Sequence, residues 1–250
     1  MLPIAFEDAT KVIQAFLLSG KEYVCLMQLH EDVTEQKIRD EFDEFTGVIL
    51  QRPPLRASVK RVVRRRTVYS IDVLEIDGRR VLFKVACQAG TYVRKICSDI
   101  GEVLGCGAHM SELRRTRAGP FSEDRSLCSM YDLLNAYDDW KVGKMEQKLR
   151  VIVRPMEEAF EFIPRVYIRD SAVDAICHGA DLAVPGVVKL DQEIEMNASV
   201  ALMSLKGEVV ALAKALMPTE QVLELDHGIT AKTVRVVMPP GTYPPLWKES

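Results

Sequence analysis

No two of the six cysteines, at positions 25, 87, 97, 106, 128 and 177, stand at Cys-x-x-Cys spacing, and the four histidines lie far apart along the chain. A zinc site of the familiar patterns is thereby excluded. Most of the cysteines fall at apolar positions of periodic segments, where a reduced thiol behaves as a small hydrophobe. There is no signal peptide and no apolar run long enough for a membrane helix, so the expectation is a soluble, intracellular chain with no metal and no membrane partner. Repeats, low-complexity segments and a charged tail are missing as well.

The most informative absence is local. The whole chain carries a net charge of −3 and a pI near 5.9, which taken alone argues against a nucleic-acid binder. Between Gln51 and Ile71, however, no acidic residue occurs beside seven basic ones: Arg52, Arg56, Lys60, Arg61, Arg64, Arg65 and Arg66. The average conceals a basic stripe of the kind that meets phosphates. Charge runs are more often solvated faces. Three consecutive arginines cannot all point one way from a strand, and here they lack acidic neighbours.

What is present fits one domain plus a smaller module: 250 residues, 48% of them hydrophobic, enough to build packed cores. The stretch from Gln88 to Phe121 organises the first part. Val93, Ile96, Cys97, Ile100, Val103 and Leu104 recur with helical spacing, Thr91 is placed to cap the first turn and Gly105 to end the last. Upstream, Val81, Phe83, Val85 and Cys87 alternate as a half-buried strand, so Tyr92 and Arg94 fall at a strand-to-helix junction. A cation in a first turn faces the positive end of the helix dipole and calls for an anion opposite. Spacing alone is equally satisfied by a solvated surface arginine.

In chain order, Ala9 to Leu18 reads as amphipathic, with Val12, Ile13, Phe16 and Leu17 on one side. Tyr23 to Leu29 reads as a strand, and Thr34 caps a helix carrying Ile38, Phe42 and Phe45 that Gly47 stops. Two prolines hold Gln51-Arg52-Pro53-Pro54-Leu55 extended. Thr67 to Ile76 and Arg79 to Cys87 flank Asp77-Gly78, the strongest hairpin signal in the chain. Met130 to Tyr137 and Met145 to Val153 read as short helices, and Pro155 and Pro164 bracket a domain boundary. Beyond it lie short strands at Val166 to Ile168, Val184 to Leu190, Ser199 to Leu205, Val209 to Leu216 and Thr233 to Met238. Lys206-Gly207 joins two of them. One short helix, Ser171 to His178, is capped by Asp170 and stopped by Gly179. The texture is that of a small β-barrel.

These residues carry a resemblance. Leu2-Pro3-Ile4-Ala5, Gly20-Lys21-Glu22-Tyr23, Gln51-Arg52-Pro53-Pro54, Ala89-Gly90-Thr91-Tyr92-Val93-Arg94 and Leu113-Arg114-Arg115-Thr116-Arg117-Ala118-Gly119-Pro120-Phe121 are similar to the TruB family of RNA pseudouridine synthases, in its archaeal and eukaryotic H/ACA-guided (dyskerin-like) branch. Asp170-Ser171-Ala172-Val173, His178-Gly179-Ala180 and Pro185-Gly186-Val187 resemble the PUA domain that follows it. The resemblance implies an α+β fold: a mixed or antiparallel central sheet with flanking helices over 1–155, the later portion of the catalytic domain, and a PUA barrel over 163–240.

It further implies isomerisation of uridine in rRNA or tRNA on a flipped base, without cofactor or metal, by an aspartate nucleophile. Arg94 matches the arginine that pairs with that aspartate, Tyr23 the tyrosine that stacks on the base, and Tyr92 a residue lining the same pocket. RNA contacts are expected from Lys60, Arg61, Arg64, Arg65, Arg66, Arg114, Arg115 and Arg117, and in the PUA module from His178, Gly179 and Gly186. Implied partners are tRNA, or a guide RNA with its rRNA target, and the H/ACA core proteins. With no lysine-rich stretch after Trp247, an archaeal cytoplasmic setting is expected over a nucleolar one.

One departure weighs against the matches. In the family the aspartate lies in a Gly-Thr-Leu-Asp-Pro segment a few residues before the Leu-Pro that here is Leu2-Pro3, and no aspartate of this chain corresponds to it. Asp8 reads as a solvated helix residue and Met1 as an internal codon or fragment boundary. The expectation is a chain inactive on its own, in which Arg94 is a partly buried cation left without its partner and Arg94→Met is stabilising. A second reading stays open, a non-catalytic RNA-binding scaffold that keeps the PUA domain and the basic surface.

Overall fold

The computed structural model describes residues 1–13, 19–54, 59–124 and 126–245. They form two compact units, Met1–Pro3 with Leu17–Leu127, and Ile4–Phe16 with Cys128–Ser250. The later half of the amphipathic segment expected over Ala9 to Leu18, the residues Leu55 and Arg56 of the basic stretch, and the tail around Trp247 lie outside the described residues.

The first unit is built on β1 (Lys21–Leu29), α1 (Glu35–Glu44), β2 (Gly47–Gln51), β3 (Arg64–Asp77), β4 (Arg80–Cys87), α2 (Val93–Leu104), β5 (Ala108–Ala118) and β6 (Phe121–Ser122). The six strands make one sheet in the order β2-β3-β4-β1-β5-β6, antiparallel at every ladder. Side chains alternate across a strand, so Cys25, Met27 and Leu29 of β1 share a face with Val81, Phe83 and Val85 of β4, all fully buried. Ile38 and Phe42 of α1 and Ile96, Cys97 and Ile100 of α2 cover that face. Phe42 meets Phe83 edge to face with centroids 5.0 Å apart. Each such side chain contributes about 1.5–3 kcal/mol by its burial.

Helix α2 ends as its sequence implies, at Gly105 with φ +79°. Its first turn differs: Tyr92 is the N-cap and no side chain caps it, since Thr91 lies one residue too early. Val103 is exposed on the last turn, because the inner arc there is taken by Leu104 and by Gly101. A Cβ on Gly101 would stand 2.2 Å from the Ala108 nitrogen, which is how the helix lies so close on β5. The hairpin is present but displaced by one residue. Asp77 pairs with Arg80 and only Gly78 of the loop has positive φ, +55°, the glycine-first pattern of a type II′ turn. Strands β2 and β5 escape the sequence reading, and Gly47 opens β2 at φ +109° besides ending the preceding helix.

The second unit contains α3 (Met130–Gly143), α4 (Gln147–Ile152), β7 (Arg165–Ile168), α5 (Asp170–Cys177), β8 (Leu182–Ala183), β9 (Val187–Leu190), β10 (Ser199–Met203), β11 (Val209–Ala215), α6 (Thr219–Glu224) and β12 (Ile229–Val236). Its sheet runs β8-β12-β11-β10-β7-β9, with β7 and β10 parallel and the others antiparallel. Val166, Ile168, Val173, Ile176, Leu202 and Val210 fill its interior. Helix α3 starts with a capping box between Ser129 and Asp132 and runs well past Tyr137. Asp170 sits inside the first turn of α5, not at its cap, which is Arg169; a carboxylate there suits the helix dipole. Glu7–Val12 forms a single 3-10 stretch with Val12 buried.

Candidate active site

Ladder registers bring the sequence-nominated residues of the first unit to one end of its sheet. Lys21 at the start of β1 is level with Cys87 at the end of β4 and with Ala118 at the end of β5, and Val68 near the start of β3 is level with Cys87. The segment from Cys87 to Val93 therefore crosses over that end of the sheet on its way into α2.

Tyr23 packs against the helix-covered core, between Val85 of β4 and Arg115 of β5. Burial pushes its hydroxyl above the ordinary phenol value, while Arg115 opposes this by charge and hydrogen bonding. The ring is thus a neutral hydrogen-bonding surface at physiological pH. Burial, and then repulsion from Arg115, lowers the Lys21 ammonium. Burial raises the nearby Cys87 thiol to about 11, so no thiolate nucleophile is available there.

Tyr92 is half-buried and held by Gln51, whose buried amide accepts from the Tyr92 N–H at 3.0 Å and donates to the Tyr92 carbonyl at 3.2 Å. Arg94 stands one turn into solvent, its guanidinium 6.0 Å from the Tyr92 ring centroid, and among the described residues it has no carboxylate partner. This corrects the expected partial burial: position 94 points outward while Val93 and Ile96 turn in, so the unpaired cation keeps its water.

Alternation along β3 sends Arg64 and Arg66 to one side and exposes Arg65 on the other. Arg64, Arg66, Gln51, Pro53, Val59, Gly90 and Tyr92 line a cavity of about 90 Å³. Among the described residues the guanidinia here bond to main-chain carbonyls and not to acids: Arg66 Nε to Gly90 O at 3.2 Å, Arg66 Nη1 to Arg65 O at 3.0 Å, Arg61 Nε to Pro53 O at 3.3 Å. Lys60 and Arg117 are exposed. Arg114 differs, forming an ion pair with Glu123 at 2.9 Å, and Arg115 Nε donates to the Met1 carbonyl at 2.9 Å. In the second unit, His178 closes α5 with Nδ1 2.8 Å from Asp174 O, Gly179 follows at φ +93°, and the Gly186 carbonyl accepts from Arg169 N at 2.8 Å. No three His, Cys, Asp or Glu side chains among the described residues gather closely enough to hold a metal.

Gln51 was visible in the sequence only as the first letter of Gln51-Arg52-Pro53-Pro54. A polar residue directly after the apolar Val48-Ile49-Leu50 run is its one local signal.

Comparison with known proteins bears directly on this arrangement. Residues 1–93 match the model of the TruB family pseudouridylate synthase N-terminal domain, residues 94–161 that of the tRNA pseudouridylate synthase B C-terminal domain, and residues 164–237 the PUA domain. The probable tRNA pseudouridine synthase B of Methanopyrus kandleri is 56% identical over 247 residues, 99% of this chain and 73% of that protein. The chain belongs to the TruB family of pseudouridine synthases. Among solved structures, a Cbf5-Nop10-Gar1 complex matches with TM-score 0.93 and 54% identity over 98% of this chain and 74% of that one. An H/ACA RNP bound to a substrate RNA containing 2′-deoxyuridine matches with TM-score 0.90 and 51% identity, covering 97% and 74%. The α+β architecture with a PUA domain agrees with these matches, and no helix among the described residues is long and apolar enough to cross a membrane.

Proposed function

We propose that these 250 residues belong to a protein that converts uridine to pseudouridine in RNA as the catalytic component of an H/ACA-type ribonucleoprotein. The relatives' names support the activity, and the solved complexes with partner proteins and substrate RNA support the setting. The observation that carries the reading is Arg94: an exposed guanidinium over the Tyr92 ring, unpaired among the described residues, at a sheet end where Arg64 and Arg66 also meet no acid among those residues. An arginine so placed is ready to accept a carboxylate in bidentate fashion. Tyr23 and Tyr92 supply aromatic faces for a base taken out of its stack.

The isomerisation breaks the bond from ribose C1′ to N1, makes the bond from C1′ to C5, releases the C5 proton and returns a proton to N1. It consumes no oxidant and no co-reactant. The site's tasks are to hold the flipped base, orient the attacking carboxylate and keep the detached uracil in place. Arg94 orients the carboxylate; Tyr23, a neutral phenol, and Tyr92 hold the base. Lys60, Arg61, Arg64, Arg65, Arg66, Arg114, Arg115 and Arg117 contact the RNA backbone, Arg114 only after exchanging Glu123 for phosphate. In the 163–240 module, His178, Gly179 and Gly186 contact RNA. The setting is cytoplasmic.

We further propose that the nucleophilic aspartate is not among these 250 residues. Purified as such, with guide RNA and partner proteins, the chain binds RNA and forms no pseudouridine, because loss of a covalent nucleophile removes nearly all of the rate. The same chain extended to the length of its relatives turns over. Pseudouridine from the 250-residue chain overturns the first statement, and none from an extended, folded and RNA-bound chain overturns the functional reading.

A further inference from the structure

We propose that Gln51 is a positioning residue that fixes Tyr92 and Arg94 as one unit against strand β2. The inference rests on the roles given above to those two residues.

Gln51 is 2% exposed, a burial that an amide tolerates only when its hydrogen bonds are satisfied. Both halves of that amide are spent on a single residue 41 positions later in the chain: Oε1 accepts from Tyr92 N at 3.0 Å and Nε2 donates to Tyr92 O at 3.2 Å. Tyr92 is the N-cap of α2 and has no side-chain cap of its own. Its carbonyl already serves the first turn, accepting from Lys95 N at 3.0 Å and Ile96 N at 3.2 Å. The Gln51 side chain therefore pairs with Tyr92 much as a neighbouring strand would, and sets where the helix begins.

Two consequences follow from that geometry. The Tyr92 ring and the Arg94 guanidinium are two residues apart and in contact, so an error in the Tyr92 backbone moves both. Gln51 also belongs to the β2–β3 ladder, level with Arg64, and lines the same cavity as Arg64 and Arg66. The clamp thus ties the arginine-bearing ribbon to the start of the helix. A displacement of about 1 Å at reacting groups is enough to cost on the order of a hundredfold in rate.

The test uses two substitutions and two readouts. Gln51→Met keeps the volume and removes both hydrogen bonds. In the 250-residue chain, amide exchange at Tyr92 then accelerates towards that of an unprotected N–H; unchanged protection overturns the clamp. In the chain extended to its relatives' length, Gln51→Met lowers kcat about tenfold to a hundredfold and leaves KM for substrate RNA close to wild type. Equal loss in KM, or no loss in kcat, overturns the positioning role. Gln51→Glu separates positioning from mere packing. A protonated carboxyl offers one O–H and one C=O, as the amide offers N–H and C=O, whereas the carboxylate only accepts. Activity of Gln51→Glu relative to wild type should therefore rise as pH falls, with Arg64 and Arg66 as the charged groups facing the new carboxyl across the cavity; a flat ratio overturns the proposal. Gln51→Glu at low pH also serves if Gln51→Met does not fold. An extended wild-type chain without activity would defeat the functional reading, and the exchange measurement would still decide the clamp.

Discussion

At the hairpin end of the first sheet, charge closes on itself. Arg79 donates to both Asp32 oxygens, at 2.7 and 2.8 Å, and the His30 and His109 rings share a hydrogen bond of 2.9 Å. At the other end Arg61, Arg64, Arg66 and Arg115 bond to neutral carbonyls and Arg94 leans over an aromatic ring. A carbonyl fixes a guanidinium in place without cancelling its charge, so the second end keeps a positive field that a polyanion can use. The helix α2 spans both: Gly101 presses its later half onto β5, while its first turn carries Arg94, unpaired among the described residues. One end is built for stability, and the other leaves its electrostatics unfinished.

The contrast can be broken by substitution, and the largest effect should come from Arg94. In an enzyme of its relatives' length, Arg94→Met should reduce pseudouridine formation by about a hundredfold or more, measured as single-turnover rate. In the 250-residue chain the same change should leave the denaturant midpoint where it was, because the cation is exposed and loses no buried partner. A stabilised variant would restore the buried-cation picture, and a clearly destabilised one would reveal an anionic partner within the chain.

Gly101→Ala should do the reverse. Overpacking against Ala108 should lower stability by about 1–3 kcal/mol despite alanine's better helix propensity, with RNA affinity per folded molecule unchanged. A midpoint equal to wild type would mean that α2 shifts freely on β5.

Replacing Arg64, Arg65 and Arg66 together with alanine should weaken RNA binding and flatten its dependence on salt, each lost phosphate contact reducing the slope of log affinity against log salt by about 0.9 for a duplex and about 0.7 for a single strand. An unchanged slope would return these arginines to the solvated face.

The smallest effect belongs to the closed end. The hydrogen bond from Arg79 holds the Asp32 carboxyl below its ordinary range. A depressed folded-state value contributes stability that is present above the unfolded carboxyl's pKa and is lost as pH falls through the folded one. Asp32→Asn should therefore remove a modest part of the acid-limb dependence of the denaturant midpoint and change nothing at RNA. An acid limb identical to wild type would show the pair to be energetically idle, as many exposed pairs are.

How far the sequence reached depended on the range of the interaction. The β3–β4 hairpin and α2 were legible because glycine at a turn and apolar residues at helical spacing are local signals. Arg94 was legible for the same reason, as a cation misplaced in a first turn, but its exposure was not, since burial is decided by which neighbours arrive. Strand β5 pairs β1 along one edge and little along the other, so most of His109 to Arg117 stays in solvent and shows no apolar alternation. Strand β2 is short, with Val48 and Leu50 exposed. The Gln51 clamp joins residues whose only relation is spatial, and no spacing rule could have announced it.

One bond in the second unit has a bearing on how the protein is made. Lys11 Nζ donates to the Val237 carbonyl at 3.2 Å across 226 positions, and the chain leaves this unit early and returns only at Cys128. The Lys11 side of this bond must wait for 226 further residues before it can close. The intervening stretch, residues 17–127 of the other unit, is free to fold in the meantime. Once compact, it shortens the effective loop that the late contact must span, and so lowers the entropic cost of closing it. The contact between Lys11 and Val237 is then made against a neighbour in the sequence that has already settled.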